Sequence, residues 1–311
     1  MIRIDLITGF LGAGKTTFIK KYADYLMRNH QRIAILENDF GAVNVDMLLL
    51  QDIAGDNCEL EMIAGGCDKD CHYRRMKTKL ISMGMRGFDR VLIEPSGIFE
   101  VDEFFDILHE EPLDNWYEIG NVITIADAKL PKNLSRESEY LLASQAANAG
   151  KIILSRAQEA SDEELAAVVD YLNQVLEQFH CRRRLKDEIL CRNWDELTDE
   201  DFGDIVSCGY TTESCGKLWF EQKDAFQSLY FMNMRMSGQE LRARAEGLMG
   251  NTKYGNIFRI KGFMQVAEQQ WVELNATQEA ITIKPIPTGQ DVLIVIGEHL
   301  NQELIERYWS E

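Results

Sequence analysis

A chain of 311 residues, 45% hydrophobic and 27% charged, has the make-up of a soluble globular protein long enough for a full α/β domain and a smaller second one. Its net charge of −18 excludes wrapping of nucleic acid or docking on an anionic membrane, because phosphates would be repelled, yet it leaves room for a local phosphate site. Seven cysteines without dense pairing, a strand-like start in place of a signal peptide and no membrane-length apolar run place the chain in the reducing cytoplasm.

Ile2, Ile4, Leu6 and Ile7 make a short apolar strand. It runs into Gly9-Phe10-Leu11-Gly12-Ala13-Gly14-Lys15-Thr16, of the form G-x-x-x-x-G-K-[S/T]. Thr17 to Arg28 then carries helical spacing, with Phe18, Ile19, Tyr22 and Leu26 as its apolar stripe. Arg32 to Glu37 reads as a buried parallel strand ending in the polar loop Asn38-Asp39-Phe40-Gly41. Cys58 to Met62 is a short strand followed by Ala64-Gly65-Gly66-Cys67, and His72 to Met83 has helical composition. Strands at Arg90 to Glu94, Asn121 to Ala126 and Lys151 to Leu154 alternate with helices at Glu100 to His109, Ser135 to Ala149 and Ser161 to about Phe179. Such alternation implies a parallel sheet covered by helices on both faces.

From Cys181 the period is lost. Residues 181–216 read as a linker or cover segment, and Arg182-Arg183-Arg184 as a solvated face. Order returns in the tail. A strand at Leu229 to Met236, a helix at Ser237 to Leu248, strands at Ile257 to Met264, Trp271 to Leu274, Ala280 to Lys284 and Val292 to Ile296, and a helix at Asn301 to Trp309 suggest a small α+β unit. The expected domains are 1–180 for nucleotide binding and 217–311 for the α+β unit, which is expected to be ferredoxin-like.

The chemistry of the first motif follows from its backbone. Its glycines let successive N–H groups turn inward around a phosphate, and the helix N-terminus adds partial positive charge. Gly9, Gly12, Ala13, Gly14, Lys15, Thr16 and Thr17 form this candidate cradle. Lys15 reaches the β- and γ-phosphates and the Thr16 hydroxyl binds Mg²⁺. Glu94-Pro95-Ser96-Gly97 supplies an acid at a strand end for Mg²⁺, and a glycine whose N–H can meet the γ-phosphate. Asp39 is placed to hold a water or a metal, so Lys15, Asp39 and Glu94 are the candidate catalytic residues. For the base, Ser155-Arg156-Ala157-Gln158 follows the strand Ile152 to Leu154. Arg156 can stack on a base, whereas Gln158 offers one carbonyl acceptor in place of the two carboxylate oxygens that read guanine, which leaves ATP open beside GTP.

Taken together these motifs resemble the CobW family, related to the HypB and UreG metal-insertion GTPases. The resemblance is carried by GFLGAGKTT (Gly9 to Thr17), ENDFG (Glu37 to Gly41), GGC (Gly65 to Cys67), IEPSG (Ile93 to Gly97), and Gln145 with the following Ala147 to Leu154 stretch. In the tail, Arg259 to Phe263 and Leu293 to Gly297 resemble the family's C-terminal domain. The resemblance implies a P-loop fold and Mg²⁺-dependent GTP hydrolysis coupled to delivery of a transition metal or assembly of a metal cofactor. A client metalloprotein or cofactor-bearing enzyme, and a second copy of the chain, are the partners to expect.

Two departures stand out. The base loop is Ser-Arg-Ala-Gln, and the family's Cys-x-Cys-Cys becomes Cys67-Asp68-Lys69-Asp70-Cys71-His72, with Lys69 and Asp70 where the family has its other two cysteines. Cys67, Cys71 and His72 still offer two thiolates and an imidazole, with Asp68 and Asp70 as oxygen donors, a mix that suits Zn²⁺ or Co²⁺. Glu37 matches a family position near this loop and is a further candidate ligand. The alternative is a pair of reduced thiols and a surface histidine. Cys58 reads as core, and Cys208 and Cys215 as structural thiols rather than a second soft-metal or redox pair. The leading expectation is a nucleotide-switched metallochaperone. The alternatives are a maturation factor for a cofactor-bearing enzyme such as a corrinoid protein and, with least support, a small-molecule kinase.

Overall fold

The computed structural model describes residues 1–39, 45–64, 69–130, 134–213, 215–218, 226–268, 270–278 and 280–310, with 39, 45, 46, 64, 69, 70 and 72 described in their backbone alone. The chain divides into two compact units, Met1–Leu218 and Trp219–Glu311.

The first unit begins with β1 (Ile2–Gly9), α1 (Lys15–Arg28), β2 (Ile33–Asp39), α2 (Val45–Leu50), β3 (Cys58–Ala64), α3 (Lys69–Gly84) and β4 (Arg90–Pro95). It continues with α4 (Val101–Leu108), α5 (Leu113–Trp116), β5 (Tyr117–Asp127), α6 (Arg136–Asn148), β6 (Lys151–Ser155) and α7 (Asp162–Gln178). The segment read as linker or cover adds β7 (Ile189–Leu190) and α8 (Asp199–Val206). Its β7 pairs with β6, and its α8 shares a core with α1. The sheet is seven-stranded in the order β3-β2-β4-β1-β5-β6-β7, and every pairing is parallel.

Its central strands are mainly apolar because both faces are covered. Along β2, Ala34 and Leu36 enter one core with Met76, Leu80 and Phe104, while Ile33 and Ile35 enter the other with Phe18, Tyr22 and Leu26. Parallel strands in one sheet end on one edge, so Gly9, Asp39, Glu94, Asp127 and Ser155 gather at the C-terminal edge where open α/β sheets bind ligands.

The opposite end of the central strands holds a buried polar cluster that the sequence reading missed. Asp5, Tyr22, Arg90 and Asn121 are each 0% or 1% exposed. Arg90 Nη1 donates to Asp5 Oδ2 at 2.6 Å, and Tyr22 Oη donates to the same oxygen at 2.8 Å. Asp5 Oδ1 accepts from the Asn121 backbone N–H at 2.9 Å and from its Nδ2 at 3.0 Å. Burial pushes the Asp5 carboxyl up and Arg90 pulls it back, while burial and the Asp5 charge hold the Tyr22 hydroxyl protonated. Asn121 also reaches the turn after α8, donating to Val206 O and accepting from the Gly209 N–H. One cluster thus ties β1, α1, β4, β5 and the end of the cover segment.

The second unit runs β8 (Phe226–Met232), α9 (Gly238–Met249), β9 (Asn256–Ala267), β10 (Gln270–Thr277), β11 (Ile281–Ile286), β12 (Val292–Glu298) and α10 (Gln302–Ser310). Its sheet is antiparallel in the order β11-β10-β9-β12-β8. Leu241, Ala245 and Leu248 of α9 and Ile305 and Trp309 of α10 share one cluster with Ile260, Leu274 and Leu293 of the sheet. This is an α+β arrangement.

Removing one member of a buried ion pair leaves its partner charged and uncompensated. Arg90→Met is therefore expected to destabilise the protein by about 3–5 kcal/mol in urea denaturation. A loss below about 1 kcal/mol, the worth of an exposed pair, would show that the cluster is not the pin described here.

Candidate functional site

The site is built around the turn from β1 into α1. Gly9 ends β1 with φ 147°, and a Cβ there would lie 2.3 Å from Ile125 O on β5, so only glycine lets the chain leave the sheet at this point. At the start of α1, Gly14 takes the N-cap position without a side-chain cap, and the first turn carries no acidic residue. That leaves N–H donors and the positive helix end directed at the loop, the arrangement that receives an anion. Lys15 and Thr16 are each 9% exposed, and Thr17 is exposed. The Lys15 ammonium donates to Gly9 O at 3.1 Å, folding back along its own loop. Thr16 Oγ1 donates to Glu94 Oε1 at 2.9 Å. The hydroxyl and acid that the sequence assigned to one cation are therefore adjacent, although they lie 78 residues apart.

The loop after β4 closes against the phosphate loop. A Cβ on Gly97 would sit 2.8 Å from the backbone N of Leu11, so a side chain there would force the two loops apart. Glu37 is 2% exposed and in register with Glu94 on β4 and Met62 on β3. Asp39 is the last residue of β2, and its side chain lies outside the described residues. Cys67 and Asp68 also lie outside them, as do the side chains of Lys69, Asp70 and His72. Cys71 is half-buried in the first turn of α3, which begins at Lys69, earlier than the sequence reading placed it. Among the described residues no group of three or more His, Cys, Asp or Glu is arranged to hold a metal.

At the base loop, Ser155 is buried, Arg156 has the left-handed φ of 56°, and Gln158 is exposed in a short turn, Ala157–Glu159. The Arg156 guanidinium is engaged by Asp127 at the end of β5, with Nε donating to Oδ1 at 3.0 Å and Nη2 pairing with Oδ2. This fork uses in-plane donors of the guanidinium and fixes its orientation at the strand ends. Asp127 directly follows the strand expected at Asn121 to Ala126, and an acid closing a parallel strand at the ligand edge was the signal for it.

Trp194 was also missed. It stands in the cover segment, donating Nε1–H to Leu154 O at 3.0 Å and meeting Phe18 of α1 edge-on at 5.6 Å between ring centroids. A Cβ on Gly14 would lie 3.3 Å from its ring, and Ser155 is the next neighbour at 3.6 Å. One indole thus fills the space between the phosphate loop and the base loop. Nearby, Lys21 pairs with Asp195 at 2.7 Å and Arg28 with Asp199 at 3.1 Å, drawing the segment onto α1.

Of the remaining cysteines, Cys58 and Cys181 are buried, Cys208 and Cys215 half-buried and Cys191 exposed. Burial pushes Cys58 up to about 11 and Cys208 to about 12, so both stay protonated. Cys208 donates to Asn121 Oδ1 at 3.5 Å, whereas burial, with Cys181 alongside, pushes the Cys215 thiol up. Arg183, read as part of a solvated run, is 8% exposed and donates to the carbonyls of Ala146 and Ala147 at the end of α6. The solvated face expected for the whole run therefore does not extend to Arg183, which the α6 carbonyls draw inward.

A parallel sheet with this loop, this uncapped helix and an acid beside its threonine defines a P-loop nucleotide-binding protein. Residues 3–183 match the family model described as CobW/HypB/UreG, nucleotide-binding domain, and residues 216–311 match that of the cobalamin synthesis protein cobW C-terminal domain. The chain belongs to the CobW/HypB/UreG family. It is 31% identical over 175 residues to the zinc chaperone YeiR of Escherichia coli, an alignment covering 56% of this chain and 52% of that protein. It is 29% identical over 174 residues to the zinc chaperone YjiA of the same organism, covering 52% of each. The chain thus spans about half the length of the curated relatives it matches. The Zn(II)-bound YjiA GTPase structure from E. coli covers 99% of this chain and 98% of its own at 19% identity, with a TM-score of 0.36, too low to add to the fold assignment. No helix among the described residues is long and apolar enough to cross a membrane.

Trp194 is expected to report nucleotide occupancy, because it packs against both loops. Nucleotide titration should change the intrinsic fluorescence of the protein, and Trp194→Phe should lose most of that change. An undiminished signal in Trp194→Phe would place the reporting indole elsewhere.

Proposed function

We propose that this chain is a GTP-driven metal carrier of the cytoplasm, with a nucleotide switch that governs a transition-metal site. The observation that carries this reading is the Thr16 to Glu94 hydrogen bond beside an uncapped helix N-terminus. A hydroxyl and a carboxylate, both buried, are the hard oxygen donors that suit Mg²⁺. Thr16 and Glu94 would hold that ion, which supplies neutralisation of charge on the β- and γ-phosphates when bound. Lys15 would exchange the Gly9 carbonyl for phosphate oxygens, and the N–H groups of Gly12 to Thr17 would receive the remaining charge. Gly97 would offer its N–H to the γ-phosphate, so the loop after β4 would differ between triphosphate and diphosphate. Asp39 would orient the attacking water. The base would lie at Ser155 to Gln158, with guanine preferred weakly, because Gln158 presents one amide carbonyl and an NH₂ that faces guanine's own donors.

The metal is cargo in this reading. Relatives named zinc chaperones favour zinc, received by Cys67, Cys71, His72 and Glu37. Glu37 links the two halves, since it lies in register with Glu94. Residues 1–180 would form the nucleotide domain, closed by 181–216, and 217–311 the CobW-type α+β domain. A second reading, a maturation factor without metal cargo, is favoured by Lys69 and Asp70 standing where the family has cysteines. In that case a nucleotide-dependent client complex would survive Cys67→Ser.

Lys15→Ala is expected to lower phosphate release from GTP by about a hundredfold or more while leaving the melting temperature near that of wild type. Turnover equal to wild type would remove the phosphate-loop assignment.

A further inference from the structure

The loop joining β4 to α4 is held from behind by α6. Gln145, on that helix, is 0% exposed. Its Nε2 donates to Gly97 O at 3.1 Å and to Phe99 O at 3.4 Å. Its backbone carbonyl accepts from Thr124 Oγ1 at 2.8 Å, which fixes the residue to β5. Its Oε1 has no hydrogen-bond partner among the described residues. Farther back on the same helix, Tyr140 Oη donates to Glu100 Oε2 at 3.0 Å. On its other side the loop meets Leu11 through Gly97 at the close approach described above.

Packing alone does not account for a glutamine here. A buried amide with one end unpaired costs free energy that a methionine or leucine of similar volume would not. The satisfied end is the donor end, and both of its bonds go to backbone carbonyls of one three-residue stretch. Glycine has the widest backbone freedom of any residue, and the two bonds to Gly97 O and Phe99 O hold this part of the loop against it. The same glycine packs closely on Leu11 of the phosphate loop.

We propose that Gln145 is a positioning residue for the γ-phosphate, holding Gly97 between the phosphate loop and α6 so that its N–H is aimed before the nucleotide arrives. The inference rests on the nucleotide reading above and deepens it. It makes the contribution of Gln145 specific to the triphosphate, because a diphosphate does not reach Gly97. Prior aiming also spares the loop the entropy of ordering on binding.

The test is a comparison of affinities for the β,γ-imido analogue of GTP and for GDP, each with Mg²⁺, in wild type, Gln145→Met and Lys15→Ala. Gln145→Met is expected to lower the ratio of triphosphate to diphosphate affinity by about tenfold, the worth of one well-aimed hydrogen bond to a charged group, with GDP affinity unchanged. A residue that only supports the fold would weaken both ligands together. An unchanged ratio in Gln145→Met, whatever its melting temperature, therefore overturns the proposal. Should Gln145→Met fail to fold, the same ratio is read on Gln145→Asn, whose donor falls one methylene short, with the same two outcomes. If Lys15→Ala loses both nucleotides while Gln145→Met keeps the wild-type ratio, the nucleotide site stands and Gln145 has no part in it. If wild type binds neither nucleotide, both readings fall.

Discussion

The hydrogen bond from Thr16 to Glu94 joins the first turn of α1 to the end of β4, and it exists only because β1 and β4 are neighbours in one parallel sheet. Their apolar residues bury on both faces and fix the level at which each strand ends. Gly9 then lets the chain turn within reach of β5, and the helix that follows starts with bare N–H groups. At the far end of the same strands, Asp5, Tyr22, Arg90 and Asn121 join β1, α1, β4 and β5 through short buried hydrogen bonds. A slip of either strand would break this cluster and separate Thr16 from Glu94. The ligand edge is thus positioned by a charge cluster at the opposite edge, at the expense of burying ions.

Much of the phosphate side was legible in the sequence because its chemistry is local. Gly9 to Thr16 is a contiguous loop, and its flanking strand and helix announce themselves by apolar spacing. Glu94 and Gly97 were legible for the same reason, an acid and a glycine at the end of an apolar strand. Thr16 and Glu94 were each read as Mg²⁺ residues, and the strand order places the two within hydrogen-bond distance.

Residues whose roles depend on distant partners were not legible. Asp127 and Arg156 are 29 residues apart and meet because β5 and β6 are adjacent. Trp194 falls in a stretch without periodicity, yet it fills the gap beside Gly14. In α8 only Phe202 and Ile205 are buried, too few to show a period, although the Thr198 and Asp201 capping box was a local sign that went unused. Asp5 and Arg90 are charges set in otherwise mainly apolar strands, and nothing in their spacing shows that each neutralises the other.

Glu37 of β2 lies in register with Glu94 of β4 on one side and Met62 of β3 on the other. β3 ends at Ala64 and α3 begins at Lys69, so Cys67 falls in the connection between them and Cys71 at the start of the helix. A change in the β4 loop on γ-phosphate binding would therefore arise one strand away from the residues proposed to receive the metal. The most direct measurement is anaerobic zinc titration of the reduced protein with the β,γ-imido analogue of GTP and again with GDP, repeated on Cys67→Ser/Cys71→Ser. The account predicts one tight equivalent that needs the thiols and changes affinity between the two nucleotides. Binding that is indifferent to both the thiols and the nucleotide would contradict it.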